Sequence, residues 1–225
     1  MKRGYFITGT GTGVGKTFVT AALARRARDR GLQVFAYKPI ETGCRLDGEV
    51  LVGSDQQELV AAAGDWQRDV LVGRYQFEPP VAPAVAARHA NVEISIDEAV
   101  ALPRAAMAGR APFEHVDLVL VEGAGGWRVP VTKTLDMSAL AHAAGLPVLV
   151  VATATLGTLN HTLLTIEAVQ HDRQRCVGIV LSQRPHDEPG MVESNLRELR
   201  ARWTGPIVAL AADPAVLDRF LDDDE

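Results

Sequence analysis

The chain has 225 residues, of which 47% are hydrophobic, so it is long enough for one substantial core and too short for two full domains. Asp and Glu outnumber Lys and Arg by 28 to 23, and the net charge of -5 argues against nonspecific binding to nucleic acid or to an anionic membrane face. We therefore expect a single domain over residues 1–225 that binds small molecules, with no nucleic-acid and no membrane partner.

Cysteine content and apolar runs indicate the compartment. Cys44 and Cys176 are far apart in sequence and lack metal-ligand spacing, and the first residues lead straight into a strand. The longest apolar run, near Leu146–Ala154, is too short to span a bilayer and suits a buried strand. A reducing cytoplasm fits these features best, so we expect a cytoplasmic protein.

Short apolar runs alternate with segments of helical periodicity, a pattern typical of a parallel sheet covered by helices on both faces. The predicted strands are Tyr5–Thr8, Val34–Lys38, Leu118–Glu122, Val148–Ala152, Val177–Leu181 and Ile207–Ala209. The predicted helices are Thr17–Arg30, Ser54–Ala63, Ser95–Ala108, Met137–Ala144, Asn160–His171 and Met191–Trp203. Residues typical of helix ends are the caps Ser95 and Asp136 and the glycines Gly31, Gly64, Gly109 and Gly145. The expected fold class is α/β, a three-layer, mostly parallel sheet flanked by helices, like that of the P-loop NTPases.

The first predicted strand is followed by the glycine-rich segment Gly9–Thr17, which opens into the first helix. Repeated glycines let backbone N–H groups turn inward around an anion, and the helix N-terminus adds unpaired donors and a positive partial charge. We expect Lys16 to reach the outer phosphates of a nucleotide and the Thr17 hydroxyl to hold magnesium. The other nucleotide-binding residues expected in this turn are Gly13, Val14, Gly15 and Phe18.

The spacing of this loop differs from the usual pattern G-x-x-x-x-G-K-[ST], because Thr10 occupies the position of the first glycine. The loop is therefore either one residue longer than usual, counted from Gly9, or starts with a threonine. The dinucleotide fingerprint G-x-G-x-x-G is absent from the turn, since Val14 stands at its last glycine. This difference excludes a nicotinamide-binding Rossmann site.

Polar residues also follow the second and third strands, at the edge where an open parallel sheet binds its ligands. Lys38 stands at this rim, where it points toward the phosphate loop. The third strand ends in Glu122, a lone acid suited to magnesium, and the glycines after it let backbone approach the nucleotide. Asp55 begins a helix, so it is either a metal-associated carboxylate or an ordinary acid of a first helical turn.

The remaining segments carry weaker signals. Gly157 and the hydroxyls around it form a loop whose backbone N–H groups suit a carboxylate, whereas His161 suits a first helical turn with no catalytic role. The segment Phe77–Pro83 contains three prolines and predicts a rigid loop. The acidic end Asp222–Glu225 predicts a solvated terminus and receives no function.

Together, in their order and spacing, these motifs resemble those of the dethiobiotin synthetases. These biotin-pathway ligases close a ureido ring on 7,8-diaminononanoate, using carbon dioxide and ATP. The resemblance covers nearly the whole chain and includes the longer phosphate loop. The segments that carry it are Thr8–Thr17, Tyr37–Pro39, Thr42–Gly43, Ser54–Asp55, Val121–Trp127 and Leu156–His161.

The resemblance implies a role for each matching position. The residues implied to be catalytic are Lys38, Lys16 and Thr12. The residues implied to bind Mg²⁺ are Thr17, Asp55 and Glu122. The residues implied to contact the substrate are Thr42, Lys38, Gly157, Thr158, Leu159 and Asn160. The resemblance also implies a homodimer in which the loop Gly157–Asn160 of the partner subunit holds the substrate carboxylate.

Two features depart from the family pattern. Gly13 stands where many members have Glu, and Ser182-Gln183 replaces an Asn-Asp pair that reads adenine. The resemblance therefore leaves the preferred base open, although Gln183 still donates and accepts hydrogen bonds. The residues implied to contact the nucleotide outside the phosphate loop are Asp55, Glu122, Gly123, Ala124, Gly125, Ser182, Gln183, Val208, Ala209 and Leu210.

Two other classes share such a phosphate loop and sheet. Amidoligases of the cobyrinate type carry a glutamine amidotransferase domain, for which 225 residues leave no room. The alternative hypothesis is a switch ATPase of the partitioning or cell-division type. Such switches have a lysine where this chain has Gly11, and many carry a membrane-binding amphipathic tail, for which the end Pro214–Glu225 is too acidic.

Overall fold

Six parallel strands form the central sheet of the computed structural model, which describes residues 2–64, 66, 67, 72–185 and 187–222. The strands of the described chain are β1 Arg3–Gly9, β2 Val34–Tyr37, β3 Ile40–Thr42, β4 Arg45–Asp47, β5 Val50–Val52, β6 Tyr75–Phe77, β7 Leu118–Gly126, β8 Val148–Thr153, β9 Cys176–Ser182 and β10 Ile207–Leu210. The central sheet has the order β10-β9-β8-β1-β7-β2. All six predicted strands lie in it, which confirms the expected parallel sheet.

Helices cover both faces of this sheet. They are α1 Lys16–Asp29, α2 Ser54–Ala63, α3 Pro83–His89, α4 Ile96–Met107, α5 Met137–Ala144, α6 Thr158–His171 and α7 Pro189–Arg200, followed by a 3-10 helix at Pro214–Phe220. The predicted caps are confirmed, since the side chains of Ser95 and Asp136 accept hydrogen bonds from the first turns of α4 and α5. Gly64 and Gly145 end their helices with positive φ angles of 103° and 69°.

The core is divided into layers by the alternation of side chains along the strands. On β7, Val119 and Val121 pack into the core shared with α4 and α5, whereas Leu118 and Leu120 pack into the core shared with α1 and α2. Every one of these four side chains is at most 1% exposed. Helices on both faces of a sheet buried in this way confirm the three-layer α/β fold.

The central position of β1 sets the location of the site. It pairs in parallel with β7 on one side and with β8 on the other. The loops after β1, β2 and β7 therefore meet at one edge, outside the carboxyl ends of the strands.

Several short elements were not predicted. Strands β3 and β6 form a two-stranded parallel sheet, and β4 and β5 form a hairpin, each strand having three residues. Runs of this length show no measurable alternation in a sequence. The expected rigid loop Phe77–Pro83 is shorter than predicted, because Phe77 ends β6 and Pro83 begins α3 in the first-turn position that suits proline.

Two further expectations concern the membrane and the acidic end. Within the described residues, no helix combines the length and apolar character needed to cross a membrane. Of the acidic end, Asp222 forms an ion pair with Arg30 at 2.7 Å, and residues 223–225 lie outside the described part of the chain.

Candidate active site

The phosphate loop connects β1 to α1 and is shaped by Gly15. Gly15 has a φ of 95°, and a Cβ atom placed on it would lie 2.3 Å from Oγ of Ser182, so only glycine fits both the backbone and the space. As the N-cap of α1 it supplies no side-chain hydrogen bond to the helix. The first amides of α1 are thus left to a ligand, as expected for an anion site.

Lys16 lies at the start of α1, where it is 6% exposed. Its ammonium donates a hydrogen bond of 3.0 Å to the carbonyl oxygen of Gly11 and so folds back over the phosphate loop. Burial, together with the positive charge of Lys38, lowers the pKa of Lys16 to about 8, although Glu122 partly opposes this shift. A negative ligand such as a phosphate would favour its charged form.

Lys38 lies directly after β2 and faces two carboxylates. Its ammonium donates to Oε1 of Glu122 at 2.9 Å and also contacts Oδ2 of Asp55. Burial opposes the charged form of Lys38, but the attraction of the two carboxylates outweighs it and raises the pKa above its ordinary value. Lys38 is therefore a buried cation held in a fixed position.

Lys38, Asp55 and Glu122 form a charge cluster, and Glu122 connects this cluster to the phosphate loop. The hydroxyl of Thr17 donates to its Oε1 at 2.8 Å, the same oxygen that accepts from Lys38. Glu122 is fully buried, and within the described chain its other oxygen, Oε2, has no hydrogen-bond partner. A buried carboxylate oxygen without a partner is costly, and a cation would satisfy it.

The oxygen atoms of Thr17, Asp55 and Glu122 suit Mg²⁺, which prefers oxygen ligands and keeps several of its waters. The described residues contain no cluster of three His, Cys, Asp or Glu side chains that could hold a metal on its own. One hydroxyl, two carboxylates and the oxygens of a bound nucleotide form the kind of set that Mg²⁺ uses in phosphate sites.

A cavity of about 440 Å³ opens above the cluster. It is lined by residues from the phosphate loop, from the ends of β2 and β7, and from the first turn of α2. The predicted site residues among its lining are Thr12, Gly13, Gly15, Lys16, Thr17, Phe18, Lys38, Thr42, Asp55, Glu122, Ala124 and Gly125. Residues that were not predicted also line it, namely Pro80, Val81, Ala82, Pro83 and Val129. Residues 80–83 thus form one wall of the cavity.

The remaining predicted nucleotide residues are not among those that line this cavity. The side chain of Val14 is 8% exposed and packs in the core, and Gly123 lies within β7. Ser182 ends β9 beside Gly15, and the amide of Gln183 donates to the carbonyl of Leu210 at 2.9 Å. The two predicted residues Val208 and Ala209 precede Leu210 in β10.

Arg184 was missed by the sequence analysis. Its guanidinium donates a hydrogen bond of 2.8 Å to the carbonyl oxygen of Gly13, which joins the loop after β9 to the phosphate loop. The backbone amide of Arg184 is in turn bound by the carboxylate of Asp187. No local motif marks this contact, because the two residues are 171 positions apart in sequence.

The predicted substrate residues Gly157, Thr158, Leu159 and Asn160 are not part of the cavity lining. Gly157, with a φ of 91°, is the N-cap of α6, and the other three residues begin that helix. Leu156, just before them, is 92% exposed. Within this chain, the structure therefore brings together the phosphate loop, Lys38 and Thr42, but does not bring this turn to the same cavity.

Comparisons with known proteins agree with these features. A family model described as an AAA domain matches residues 3–211. Among solved structures, the septum site-determining protein MinD of Pyrococcus horikoshii, complexed with Mg-ADP, superposes with a TM-score of 0.52 at 16% identity, covering 98% of this chain and 86% of that chain. A likeness at this identity shows the P-loop fold alone, and it carries no argument for a cell-division switch.

Curated relatives are much closer in sequence. The ATP-dependent dethiobiotin synthetase BioD of Anaeromyxobacter dehalogenans (strain 2CP-C) is 41% identical over 218 residues, which cover 96% of this chain and 93% of that protein. The BioD protein of Anaeromyxobacter sp. (strain Fw109-5) is 44% identical over 223 residues, covering 97% and 95%. The chain belongs to the dethiobiotin synthetase family.

Proposed function

We propose that this protein is a ligase that makes dethiobiotin from 7,8-diaminononanoate, carbon dioxide and ATP, and that the reaction takes place in the cavity above Glu122. The observation that carries this proposal is the convergence of Thr17 and Lys38 on a single oxygen of Glu122. A nucleotide on the phosphate loop and a diamine beside Lys38 would then meet within one cavity of about 440 Å³.

The site residues act as the family resemblance implies. Thr17, Asp55 and Glu122 would hold Mg²⁺, which would neutralise part of the charge of the phosphates when it is bound. Oε2 of Glu122, which has no hydrogen-bond partner among the described residues, supports this assignment. Lys16 binds the outer phosphates, and Thr12, which lines the cavity, contributes a hydroxyl near the reacting groups.

The first chemical steps bring two anions together. One amine of the substrate adds to carbon dioxide and loses a proton, which gives a carbamate. A carbamate oxygen then attacks the γ-phosphorus, and ADP leaves. Two unit charges about 4 Å apart repel by roughly 1 kcal/mol in water and about 4 kcal/mol at an effective dielectric near 20. Lys16 and Lys38 offset this repulsion, most strongly as charge spreads over the transferred phosphoryl group.

The second amine closes the ring. The phosphoryl transfer leaves a carbamic-phosphoric anhydride, whose carbonyl carbon is attacked by the other amine of the same molecule. The C–N bond forms, phosphate leaves with the electron pair of the broken C–O bond, and the amine loses a proton. Holding the amine next to the carbonyl makes this step intramolecular. Lys38 and Thr42 line the cavity where it would be oriented.

The turn Gly157–Asn160 serves the neighbouring subunit of a homodimer in this proposal. Its position outside the cavity of its own chain supports this role, as does the exposure of Leu156 before it. The amides at the start of α6 suit the substrate carboxylate, which lies far from the two reacting amines. The proposed enzyme is one domain over residues 1–225 and works in the cytoplasm.

The decisive experiment is a product assay. Purified protein is incubated with 7,8-diaminononanoate, bicarbonate, Mg²⁺ and one of ATP, CTP or GTP, and both dethiobiotin and released phosphate are measured. We expect one phosphate per dethiobiotin, and the ratio of rates ranks the bases that Ser182 and Gln183 accept. Phosphate release that does not depend on the diamine would contradict the proposal and favour the switch ATPase.

A further inference from the structure

Glu41 is a buried acid that is not one of the predicted site residues. It lies in β3 between Lys38 and Thr42, and it is 4% exposed. Its Oε1 accepts a hydrogen bond of 3.0 Å from the backbone amide of Asp55, and its Oε2 accepts one of 2.8 Å from the amide of Gln56. Both oxygens are thus used on the first turn of α2.

The carboxylate of Glu41 replaces a local helix cap. The N-cap of α2 is Gly53, which has no side chain to bind the free amides of the first turn. A Cβ atom on Gly53 would lie 2.3 Å from Oε2 of Glu41, so the glycine makes the space that the carboxylate fills. An acid from β3 therefore satisfies these amides of α2 and complements the dipole of the helix.

The N-terminal end of α2 contacts both the side chain and the main chain of Lys38. The amide of Asp55 is bound by Glu41, and its carboxylate contacts the ammonium of Lys38. The side-chain amide of Gln56 donates to the main-chain carbonyl of Lys38 at 3.0 Å and accepts from Gln76 at 2.6 Å. A shift of this helix end would move Asp55 and would also release the backbone of Lys38.

We propose that Glu41 is the positioning residue of the active site, which tethers the start of α2 to β3 and thereby fixes Asp55 and Lys38 relative to the bound nucleotide. This inference rests on the proposed function. Glu41 touches neither substrate nor nucleotide in this role, because its two oxygens are both turned to backbone amides. Supporting groups of this kind typically contribute about 10- to 100-fold to metal affinity or activity.

The first test is Glu41→Gln, which keeps the size of the side chain and removes one of its two acceptor oxygens. We expect turnover to fall by about 10-fold, and the affinity for Mn²⁺, measured by electron paramagnetic resonance with ADP present, to fall by about the same factor. The affinity for a fluorescent ADP analogue without metal should stay within about twofold, because the phosphate loop is untouched. The matched control is Glu58→Gln, which changes an exposed acid of the same helix that pairs with Arg25.

A second variant separates positioning from simple stabilisation of the helix. In Glu41→Ala/Gly53→Ser, a local cap replaces the tether, at a residue whose extended backbone (φ -88°, ψ 117°) suits serine. We expect this double variant to regain most of the melting temperature that Glu41→Ala loses, while its turnover and Mn²⁺ affinity stay low.

The proposal is wrong if Glu41→Gln retains wild-type turnover and Mn²⁺ affinity, or if the local cap restores activity together with stability. Failure of the proposed function looks different. In that case the wild-type protein forms no dethiobiotin, and the role of Glu41 is still decided by the Mn²⁺ affinities of the same variants.

Discussion

The charge cluster around Lys38 and the turn that begins α6 lie at the same edge of one sheet, but they are built in opposite ways. In the cluster, Lys38 is 6% exposed and Glu122 is fully buried, and each group has a partner from another element. In the turn, Leu156 is 92% exposed and the bonds are local ones, such as that from the amide of Thr158 to the carbonyl of Thr155. This difference matches the proposed function, in which phosphoryl transfer is organised within one subunit and recognition of the far end of the substrate depends on two.

The largest effect should come from removing either of the two lysines Lys16 and Lys38. We expect Lys16→Ala to lower turnover by about 10³-fold and to weaken nucleotide binding, because the phosphates lose their point charge. Lys38→Ala should lower turnover by about 10²-fold while nucleotide affinity changes little. Steady-state kinetics and binding of a fluorescent ADP analogue measure both, and the exposed Lys133→Ala is the control. Turnover of Lys38→Ala within threefold of wild type would refute its role.

Mixing two inactive variants tests whether the turn at the start of α6 acts in the active site of the neighbouring subunit. Lys16→Ala lacks a working phosphate loop, and Asn160→Ala has a defective turn at α6. In a mixed dimer, one of the two sites combines the intact loop of one subunit with the intact turn of the other. Since random exchange makes half of the dimers mixed, the mixture should regain about a quarter of wild-type activity. A mixture that remains as inactive as its components would place the turn and the phosphate loop in the same subunit's site.

Arg184 joins the loop after β9 to the phosphate loop through a hydrogen bond to the carbonyl oxygen of Gly13, so its removal should have a moderate effect. We expect Arg184→Gln to raise the KM for the nucleotide by about three- to tenfold with little change in kcat, because the phosphate loop loses an anchor at Gly13. The control is Arg202→Gln, an arginine of similar exposure that pairs with Glu198 at 2.6 Å. Equal KM values in both variants would show that the contact does not hold the loop.

The smallest predicted effect concerns the C-terminal end of α6. There Asp172 accepts hydrogen bonds of 2.8 Å from Trp127 and 2.9 Å from Arg128. Burial opposes the charged form of Asp172, but these bonds outweigh it and lower the pKa below its ordinary value. The stabilisation is therefore complete above the ordinary pKa of Asp and is lost as the pH falls through the lowered value.

Asp172→Asn should accordingly cost about 0.5–1 kcal/mol of unfolding free energy at pH 7 and almost nothing at a pH below the lowered pKa of Asp172. Urea unfolding at both pH values measures this difference. Asp97→Asn, at an exposed ion pair with Arg104, serves as the control. A difference that persists unchanged in acid would show that the carboxylate charge is not what stabilises this end of α6.

Features that depend on residues close together in the sequence could be predicted, whereas contacts between residues far apart in the sequence could not. The central strands, the caps Ser95 and Asp136 and the Gly9–Thr17 loop depend on residues close together in the chain, and local patterns predicted them. The tether from Glu41 to α2 depends on a glycine 12 positions away that leaves space for it, and the contact from Arg184 to Gly13 spans 171 positions. Neither has a local signature, so both required the structure.

The shared oxygen of Glu122 has a further consequence for the order in which ligands bind. In the proposed function, Thr17 belongs to the nucleotide side and Lys38 to the diamine side, and both donate to Oε1. A ligand that binds one of these two donors changes the hydrogen bond that the other donor makes to Oε1. The two binding equilibria are therefore linked through this atom. Thermodynamic reciprocity then requires that the diamine change the nucleotide affinity by the same factor by which the nucleotide changes that of the diamine.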